Sequence, residues 1–421
     1  MEKGRLREVL LDQQETFARK DYLIGREISL EPYLKGNEIV VVSGIRRCGK
    51  SSLLRLIAGM LGKKSFYVDF SDIRFTDFGE TNYGDIEDLV WEFFGQNQEV
   101  VFLLDEVQEV PAWERWVSNL YEKGTKVFVT GSNSKMLSSE ISTYLTGRNK
   151  VVRLFPFSFR EYLSLKRIKS DPGSSAERRL LVQSFSEYFE KGGFPLVLKN
   201  DDLELSKQYF KDILNKDIIT RYNIRKKREL YDLVLFLFSN VGRTYSYSTL
   251  SQVSGISSFS MIKNYIDYLE NSYIAHSMAR FDFSVRKQKI SSSKFYVTDN
   301  SFLRTVAFNF SQNYGARLEN LVFIELARCG YETYYHKRKH ECDFIIRRGL
   351  RIDAVIQVCQ NMDDPMVRKR ELDGLMEAMN DYKLTKGLIL TLETEDTILL
   401  GKFEISVKPV WKWLLSSDKL P

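Results

Sequence analysis

The chain has 421 residues, 43% of them hydrophobic and 28% charged, with 62 Lys and Arg against 56 Asp and Glu for a net charge of +6. At about 150 residues per domain this length predicts roughly three domains, and so large an apolar share excludes wholesale disorder. The charge is too small over such a length to establish a nucleic-acid partner, and the longest apolar run, Leu233–Phe238, is too short to span a bilayer.

The N-terminus alternates charged and apolar residues and lacks the apolar core of a signal peptide. Cys48, Cys329, Cys342 and Cys359 form no CxxC pair, so reduced thiols in a cytoplasmic protein are expected. Residues 1–30 read as an amphipathic helix. Ile39–Ser43 (IVVVS) follows as a short buried strand, and strand-like runs recur at Ser65–Phe70, Val100–Leu104, Lys126–Thr130 and Lys150–Leu154. Helical patterns at Ser52–Leu61 and Trp113–Tyr121 lie between them, so residues 1–155 predict an α/β core, a parallel sheet covered on both faces. From Pro156 to about Arg228 the periodicity is helical, broken by a turn at Gly192–Pro195 (GGFP). Residues 229–290 hold three helical segments and then a β-like stretch, and residues 291–421 return to mixed α/β.

The strongest motif is Gly44-Ile45-Arg46-Arg47-Cys48-Gly49-Lys50-Ser51, a complete G-x-x-x-x-G-K-[ST] between the first strand and a helix. Its glycines let the backbone wrap a polyphosphate, and the N–H groups of the loop and helix start face the anion. Gly44–Ser52 are therefore the candidate ATP contacts, with Lys50 reaching the β/γ-phosphates and Ser51 offering a hydroxyl to Mg²⁺. Val100–Glu106 (VVFLLDE) supplies a buried strand ending in two acids. Asp105 is expected to hold Mg²⁺ and Glu106 to act as base toward the attacking water. Ser132 and Asn133, past the next strand, are candidates to touch the γ-phosphate. Arg148, before the fifth strand, is a candidate to stabilise phosphoryl charge in cis or across a subunit boundary.

GIRRCGKSSLL, VVFLLDEVQEV, VFVTGSNSKML, LTGRNKVVRLFPFSFREYL and YFEKGGFPLVL, in that order, resemble a widespread prokaryotic family of AAA-superfamily ATPases with a C-terminal domain of unknown function. The resemblance runs over nearly the whole chain. It implies an AAA+ core that binds ATP, and it implies for Arg148 a nucleotide-sensing or finger role.

In residues 229–290, Ser246–Val253, a turn at Gly255 and Ser258–Asn271 make a helix-turn-helix pattern, and YIAHSMARFD starts a wing. A winged helix is also what the resemblance implies. Its recognition helix would turn Ser257, Ser258, Ser260 and Lys263 outward. That face is poor in cations, which instead flank it at Arg221, Arg225, Lys226, Lys227 and Arg228, and at Arg286, Lys287 and Lys289.

Residues 317–360 resemble the restriction-endonuclease-like fold, whose nucleases place a helix glutamate, a strand aspartate and an acid-x-Lys on the next strand. Glu319 and Asp343 match the first two positions. Gln357 and Cys359 stand where the acid and lysine belong, so the domain is expected not to cut nucleic acid, with Asp353 as a conceivable displaced acid. His336, His340 and Cys342 have metal-ligand chemistry but no fourth partner in a very basic segment, so a turn between strands is expected.

The expectation is thus a P-loop ATPase core (1–155), a helical lid (156–228), a winged helix (229–290) and a restriction-endonuclease-like α/β domain without catalysis (291–421). ATP and Mg²⁺ are the cofactors, and hydrolysis would move the lid and appended domains. A DNA or protein partner is expected through the winged helix and C-terminal domain, no membrane is expected, and an oligomer is open. The alternatives are a nucleotide-dependent binding switch with negligible turnover and an ATP-gated nuclease, the latter disfavoured by Gln357 and Cys359.

Overall fold

The computed structural model describes residues 1–19, 22–95, 98–133, 147–306 and 313–421. The chain divides into two compact units, Met1–Phe155 with Asn271–Tyr273, and Pro156–Glu270 with Ile274–Pro421.

The first unit is built on strands β1 (Ile39–Ser43), β2 (Lys64–Asp69), β3 (Val100–Asp105), β4 (Val127–Gly131) and β5 (Asn149–Arg153), all paired in parallel in the order β2-β3-β4-β1-β5. Each strand expected from the sequence is present, shifted by no more than a residue. β1 and β4 are buried at every position, as central strands with both faces covered must be. Helices α1 (Lys3–Phe17), α2 (Glu31–Leu34), α3 (Lys50–Leu61), α4 (Asn82–Phe94) and α5 (Trp113–Glu122) complete the unit. One apolar cluster joins Leu6, Val9 and Leu10 of α1 to Phe66 and Val68 of β2 and Trp113, Trp116 and Val117 of α5.

The N-terminal helix is shorter than its expected extent to residue 30. It ends at Phe17, and residues 22–30 are not helical. Tyr22, Leu23 and Ile24 are apolar in succession and Gly25 follows, which breaks the single stripe that held α1 against the sheet.

The second unit opens with α6 (Phe159–Lys166), α7 (Ser175–Lys191), α8 (Pro195–Asn200) and α9 (Glu204–Asp212), which runs on into a π-helix at Ile213–Thr220. The S-x-x-E of PFSFREYL is a capping box. The Ser158 hydroxyl accepts from the Glu161 amide at 3.0 Å, and the Glu161 carboxylate accepts from the Ser158 amide at 2.9 Å. GGFP is a packing motif as well as a turn. Gly192 has φ 71° and a Cβ there would meet Asp299 Oδ1 at 1.8 Å, while a Cβ on Gly193 would meet the Phe157 carbonyl oxygen at 2.3 Å. That closeness allows the Phe157 amide to donate to the Gly193 carbonyl at 2.7 Å and the Gly193 amide to Asp299 at 2.7 Å.

Next come α10 (Lys227–Ser239), β6 (Thr244–Tyr245), α11 (Tyr247–Ser254), α12 (Phe259–Asn271), β7 (Ala275–Met278), α13 (Val285–Ile290) and β8 (Ser293–Val297). The three strands pair antiparallel in the order β6-β8-β7. β8 lies past residue 290, so this small sheet takes in residues that the sequence reading assigns to the following domain. The chain ends with α14 (Asn300–Thr305), α15 (Tyr314–Arg328), β9 (Glu332–Lys337), β10 (Glu341–Arg348), β11 (Arg351–Val358), α16 (Pro365–Asp381), β12 (Lys386–Thr391), β13 (Asp396–Leu400), β14 (Phe403–Pro409) and α17 (Val410–Leu415). Its six strands form one mixed sheet in the order β13-β14-β12-β11-β10-β9. Among the described residues no helix is long and apolar enough to cross a membrane.

Candidate nucleotide site

β1 is followed at once by the glycine-rich loop, and α3 begins at Lys50. Gly44 has φ 154°, and a Cβ there would lie 2.1 Å from the Leu154 carbonyl oxygen, so only glycine lets the loop pass this close to the chain after β5. Gly49 caps α3 at φ 103°, and Arg47 also sits at positive φ, 71°. The Cys48 side chain is fully buried and desolvation raises its thiol pKa, so it packs as a neutral group. Arg46 is half-buried, and Arg47, Ser51 and Ser52 are exposed. Arg26 braces the loop by donating to the Cys48 carbonyl at 3.2 Å and the Phe155 carbonyl at 2.6 Å. No motif marked Arg26, since it comes from the irregular segment before α2.

Lys50 is 4% exposed, with Nζ 3.3 Å from the Gly44 carbonyl oxygen and 3.4 Å from Glu106 Oε1. Burial works against its charge, but Glu106 and then the Cys48 and Asp105 groups outweigh burial and hold its pKa above the ordinary lysine value. For Glu106 burial pushes upward, and the Lys50 ammonium, Gln108 and Arg46 bring the carboxyl below the usual range, so it is ionised. Glu106 follows β3 at φ 50°, a left-handed conformation uncommon for a side-chain-bearing residue. Its amide donates to the Thr130 hydroxyl at 2.9 Å.

Asp105 is 1% exposed. Its carboxylate receives the Tyr67 hydroxyl at 2.8 Å, the Thr130 hydroxyl and the Ser51 hydroxyl. Burial and the Glu106 charge raise its pKa, while the Ser51 and Thr130 hydroxyls oppose them. Tyr67 and Thr130 were not singled out by the sequence. The available signal was a tyrosine in an otherwise buried strand, where a hydroxyl must find a partner.

The strand order places β4 between β1 and β3. Ser132 and Asn133, just past β4, therefore lie between the phosphate loop and the acid pair. Both are buried, and Ser132 Oγ has no hydrogen-bond partner among the described residues. An orphaned hydroxyl, a cradle closed to any Cβ, a buried ammonium and a buried carboxylate bonded to Ser51 together suit a Mg²⁺-bound nucleotide. Ser134 lies outside the described residues, as do Leu145 and Thr146 of LTGR.

Arg148 is not brought to this loop. β5 is parallel to β1 with Ile39 opposite Asn149 and Ser43 opposite Arg153. Arg148 thus sits at the far end of the strands, roughly 17 Å from the loop at ~3.3 Å per residue. It donates to the Ser118 hydroxyl at 3.1 Å and pairs with Glu122 at 2.9 Å.

In the second unit, Glu319 of α15 and Asp343 of β10 do come together, around a group that the sequence reading missed. Lys294 of β8 is 2% exposed, with Nζ 3.0 Å from Glu319, 3.1 Å from Asp343 and 2.8 Å from Glu341. Burial disfavours the ammonium, but Glu319 and the neighbouring Tyr296, Asp343 and Glu341 hold its pKa well above the ordinary value. Burial and Asp343 push the Glu319 carboxyl up to about 7, against Lys294 and Tyr296. Gln357 accepts from the Asp343 amide at 3.2 Å and donates to buried Glu371 at 2.5 Å. Cys359 is 5% exposed, and burial pushes its thiol up to about 12. Asp353 pairs instead with Arg348 at 3.0 Å and Arg351 at 3.4 Å, four residues from Gln357 along β11. A cavity of ≈ 740 Å³ opens onto Glu319, Glu341, Asp343, Gln357 and Glu371.

His336 and Cys342 lie opposite one another in the β9–β10 pairing, with His340 in the turn between these strands. The His336 ring bonds Tyr382 at 2.9 Å and Glu377 at 3.1 Å, and the Cys342 thiol donates to the Ile356 carbonyl at 3.5 Å.

A glycine-rich phosphate loop facing an Asp-Glu pair across the end of a parallel sheet is the core of a P-loop NTPase. Residues 36–163 match the AAA domain family, and residues 182–313 match a domain of unknown function, DUF8612. The uncharacterized protein MJ1544 of Methanocaldococcus jannaschii is 32% identical over 97% of this chain and 95% of its own length. An uncharacterized protein of Haemophilus influenzae is 31% identical over 93% of this chain and 99% of its own. The chain belongs to the same family as these archaeal and bacterial proteins. Among solved structures, the Thermotoga maritima RuvB Holliday junction branch migration motor aligns over 67% of this chain and 90% of its own at 14% identity, with a TM-score of 0.30, too low to bear on function.

Proposed function

We propose that the protein is an AAA+-type ATPase that binds ATP with Mg²⁺ at Gly44–Ser52 and couples hydrolysis to movement of the chain beyond residue 155. The observation that carries this is the meeting of Lys50, Glu106 3.4 Å from it, and Asp105 with its Ser51 bond, at one end of the sheet. The loop amides and the start of α3 would receive the phosphates. Lys50 would exchange Glu106 for the β/γ-phosphates, Ser51 and Asp105 would hold Mg²⁺, and Ser132 and Asn133 would meet the γ-phosphate. Mg²⁺ supplies neutralisation of phosphate charge when bound there. Glu106, released from Lys50, would accept the proton of the attacking water. At its distance from its own loop, Arg148 would serve a neighbouring protomer, leaving Glu122 to do so.

The test is Glu106→Gln: ATP binding is retained and turnover falls by at least about a hundredfold, the lower range for general-base loss. Unchanged turnover removes Glu106 from its role. The Lys50–Glu106 pair also favours a second reading, a nucleotide-dependent binding switch, since it occupies the base; negligible wild-type turnover with intact ATP binding selects it.

For the second unit we propose a winged helix from α10 to β8 and a restriction-endonuclease-like domain after it. The order helix, strand, helix, helix, strand, strand, with the short α13 set between the last two strands, supports the first, and α15 followed by β9, β10, β11, α16 and β12 supports the second. The winged helix would take a DNA or protein partner. DNA binding that weakens steeply with salt identifies phosphate contacts. The C-terminal domain would not cut nucleic acid, because the Gln357 amide is engaged by Glu371 and Lys294 pairs with the very carboxylates a metal would need. Cleavage of DNA or RNA with Mg²⁺ or Mn²⁺, abolished by Glu319→Ala, overturns this.

A further inference from the structure

We infer that Tyr67 is a positioning residue of the nucleotide site, setting the Asp105 carboxylate and tying it to helix α1. The inference rests on the ATP reading above. Tyr67 lies on β2, the outer strand of the sheet, and is 9% exposed. Its hydroxyl donates to Asp105 Oδ2 at 2.8 Å, while the Thr130 hydroxyl takes Oδ1. With each oxygen bonded from a different strand, the carboxylate plane has little freedom to turn.

Tyr67 is itself held by α1 at both backbone and ring. Gln14 accepts from the Tyr67 amide at 3.0 Å and donates to its carbonyl at 2.7 Å. Gln13 repeats the pattern on Asp69, accepting at 2.9 Å and donating at 3.0 Å. Positions i and i+2 of an edge strand present their free N–H and C=O groups to the same side, so two consecutive glutamine amides stand in for a missing neighbour strand. The Phe17 ring stacks on Tyr67 with centroids 4.1 Å apart and 16° between planes. The Arg55 guanidinium of α3, the helix that carries Lys50 and Ser51, lies 5.7 Å from the Phe17 centroid. The last turn of α1 is therefore linked through one phenol to the carboxylate that would hold Mg²⁺.

The experiment is titration of the full-length protein with a fluorescent ATP analogue, in EDTA and across a Mg²⁺ series. Tyr67→Phe keeps the ring and the Phe17 stack and removes only the donor. Its nucleotide affinity in EDTA is expected to match wild type within about twofold, while the Mg²⁺ concentration for half-maximal tightening rises about tenfold, the effect of one hydrogen bond to a charged group. Gln14→Ala, which loosens Tyr67 without touching its hydroxyl, shifts the Mg²⁺ midpoint in the same direction by less. A Tyr67→Phe midpoint equal to wild type, while Asp105→Asn displaces it, overturns the inference and leaves the ATP reading intact. Failure of the wild-type protein to bind the nucleotide at all overturns both.

Discussion

Lys294→Met tests whether the buried ammonium organises the C-terminal carboxylates. Methionine keeps the length of the side chain and removes its charge, leaving Glu319 and Asp343 facing each other with Glu341 at the rim. The three contacts, 2.8 to 3.1 Å, each have a gross attraction of roughly 5–6 kcal/mol at an effective dielectric near 20. Desolvation of the lysine offsets most of that sum, so the expected loss is the cost of removing one member of a buried charge pair, about 3–5 kcal/mol. The loss carries a pH signature. Even with the ammonium present, burial and Asp343 raise the Glu319 pKa to about 7 in the folded chain, and without Lys294 it rises further. A carboxyl with a raised folded pKa favours the native state below its unfolded value and loses that contribution as pH climbs through the folded value. The penalty is therefore greatest above pH 7 and shrinks toward pH 5, where protonation removes the repulsion. Scanning calorimetry of wild type and variant at pH 5 and pH 8 measures it, with the second-unit transition falling on the order of 10 °C at pH 8 and clearly less at pH 5. Equal shifts at the two pH values refute the reasoning, as does no shift at either.

Two further outcomes follow from the geometry. Gly193→Ala places a methyl against the Phe157 carbonyl, 2.3 Å from the ideal Cβ, and breaks the paired backbone contact there. A loss of about 1–3 kcal/mol is expected in thermal unfolding, with the Glu106-dependent turnover of the first unit changed little at temperatures below the transition. Arg148→Ala leaves ATP affinity at low protein concentration unchanged, because the arginine is remote from its own loop. Reduced affinity in a dilute, monomeric sample would show that Arg148 reaches the site in cis.

The nucleotide loop was legible because its information is local. Gly44, Gly49, Lys50 and Ser51 are set by a turn and a helix start within eight residues, and the acids by the end of one apolar strand. The same holds for Ser158 and Glu161, whose capping box spans a single turn. For Arg148 the sequence leaves cis and trans roles open, because a residue's rank before a strand does not say which end of the sheet faces the loop; the parallel register of β1 and β5 puts it at the opposite end. For Asp353 the spacing of four residues from Gln357 does not reveal that its carboxylate pairs with Arg348 and Arg351.

By itself the sequence determined the alternation of strands and helices in the core, the glycine-rich loop and the Asp105-Glu106 pair. Only the tertiary structure decided that Tyr67 bonds Asp105, that Gln13 and Gln14 close the sheet edge, and that Lys294 enters the carboxylate cluster from another sheet. The physical reason is the separation of the partners: 38 residues part Tyr67 from Asp105, 53 part Gln14 from Tyr67, and 49 part Lys294 from Asp343. Buried donors and charges must be satisfied wherever the fold brings a partner within reach, and that choice leaves no trace in local spacing.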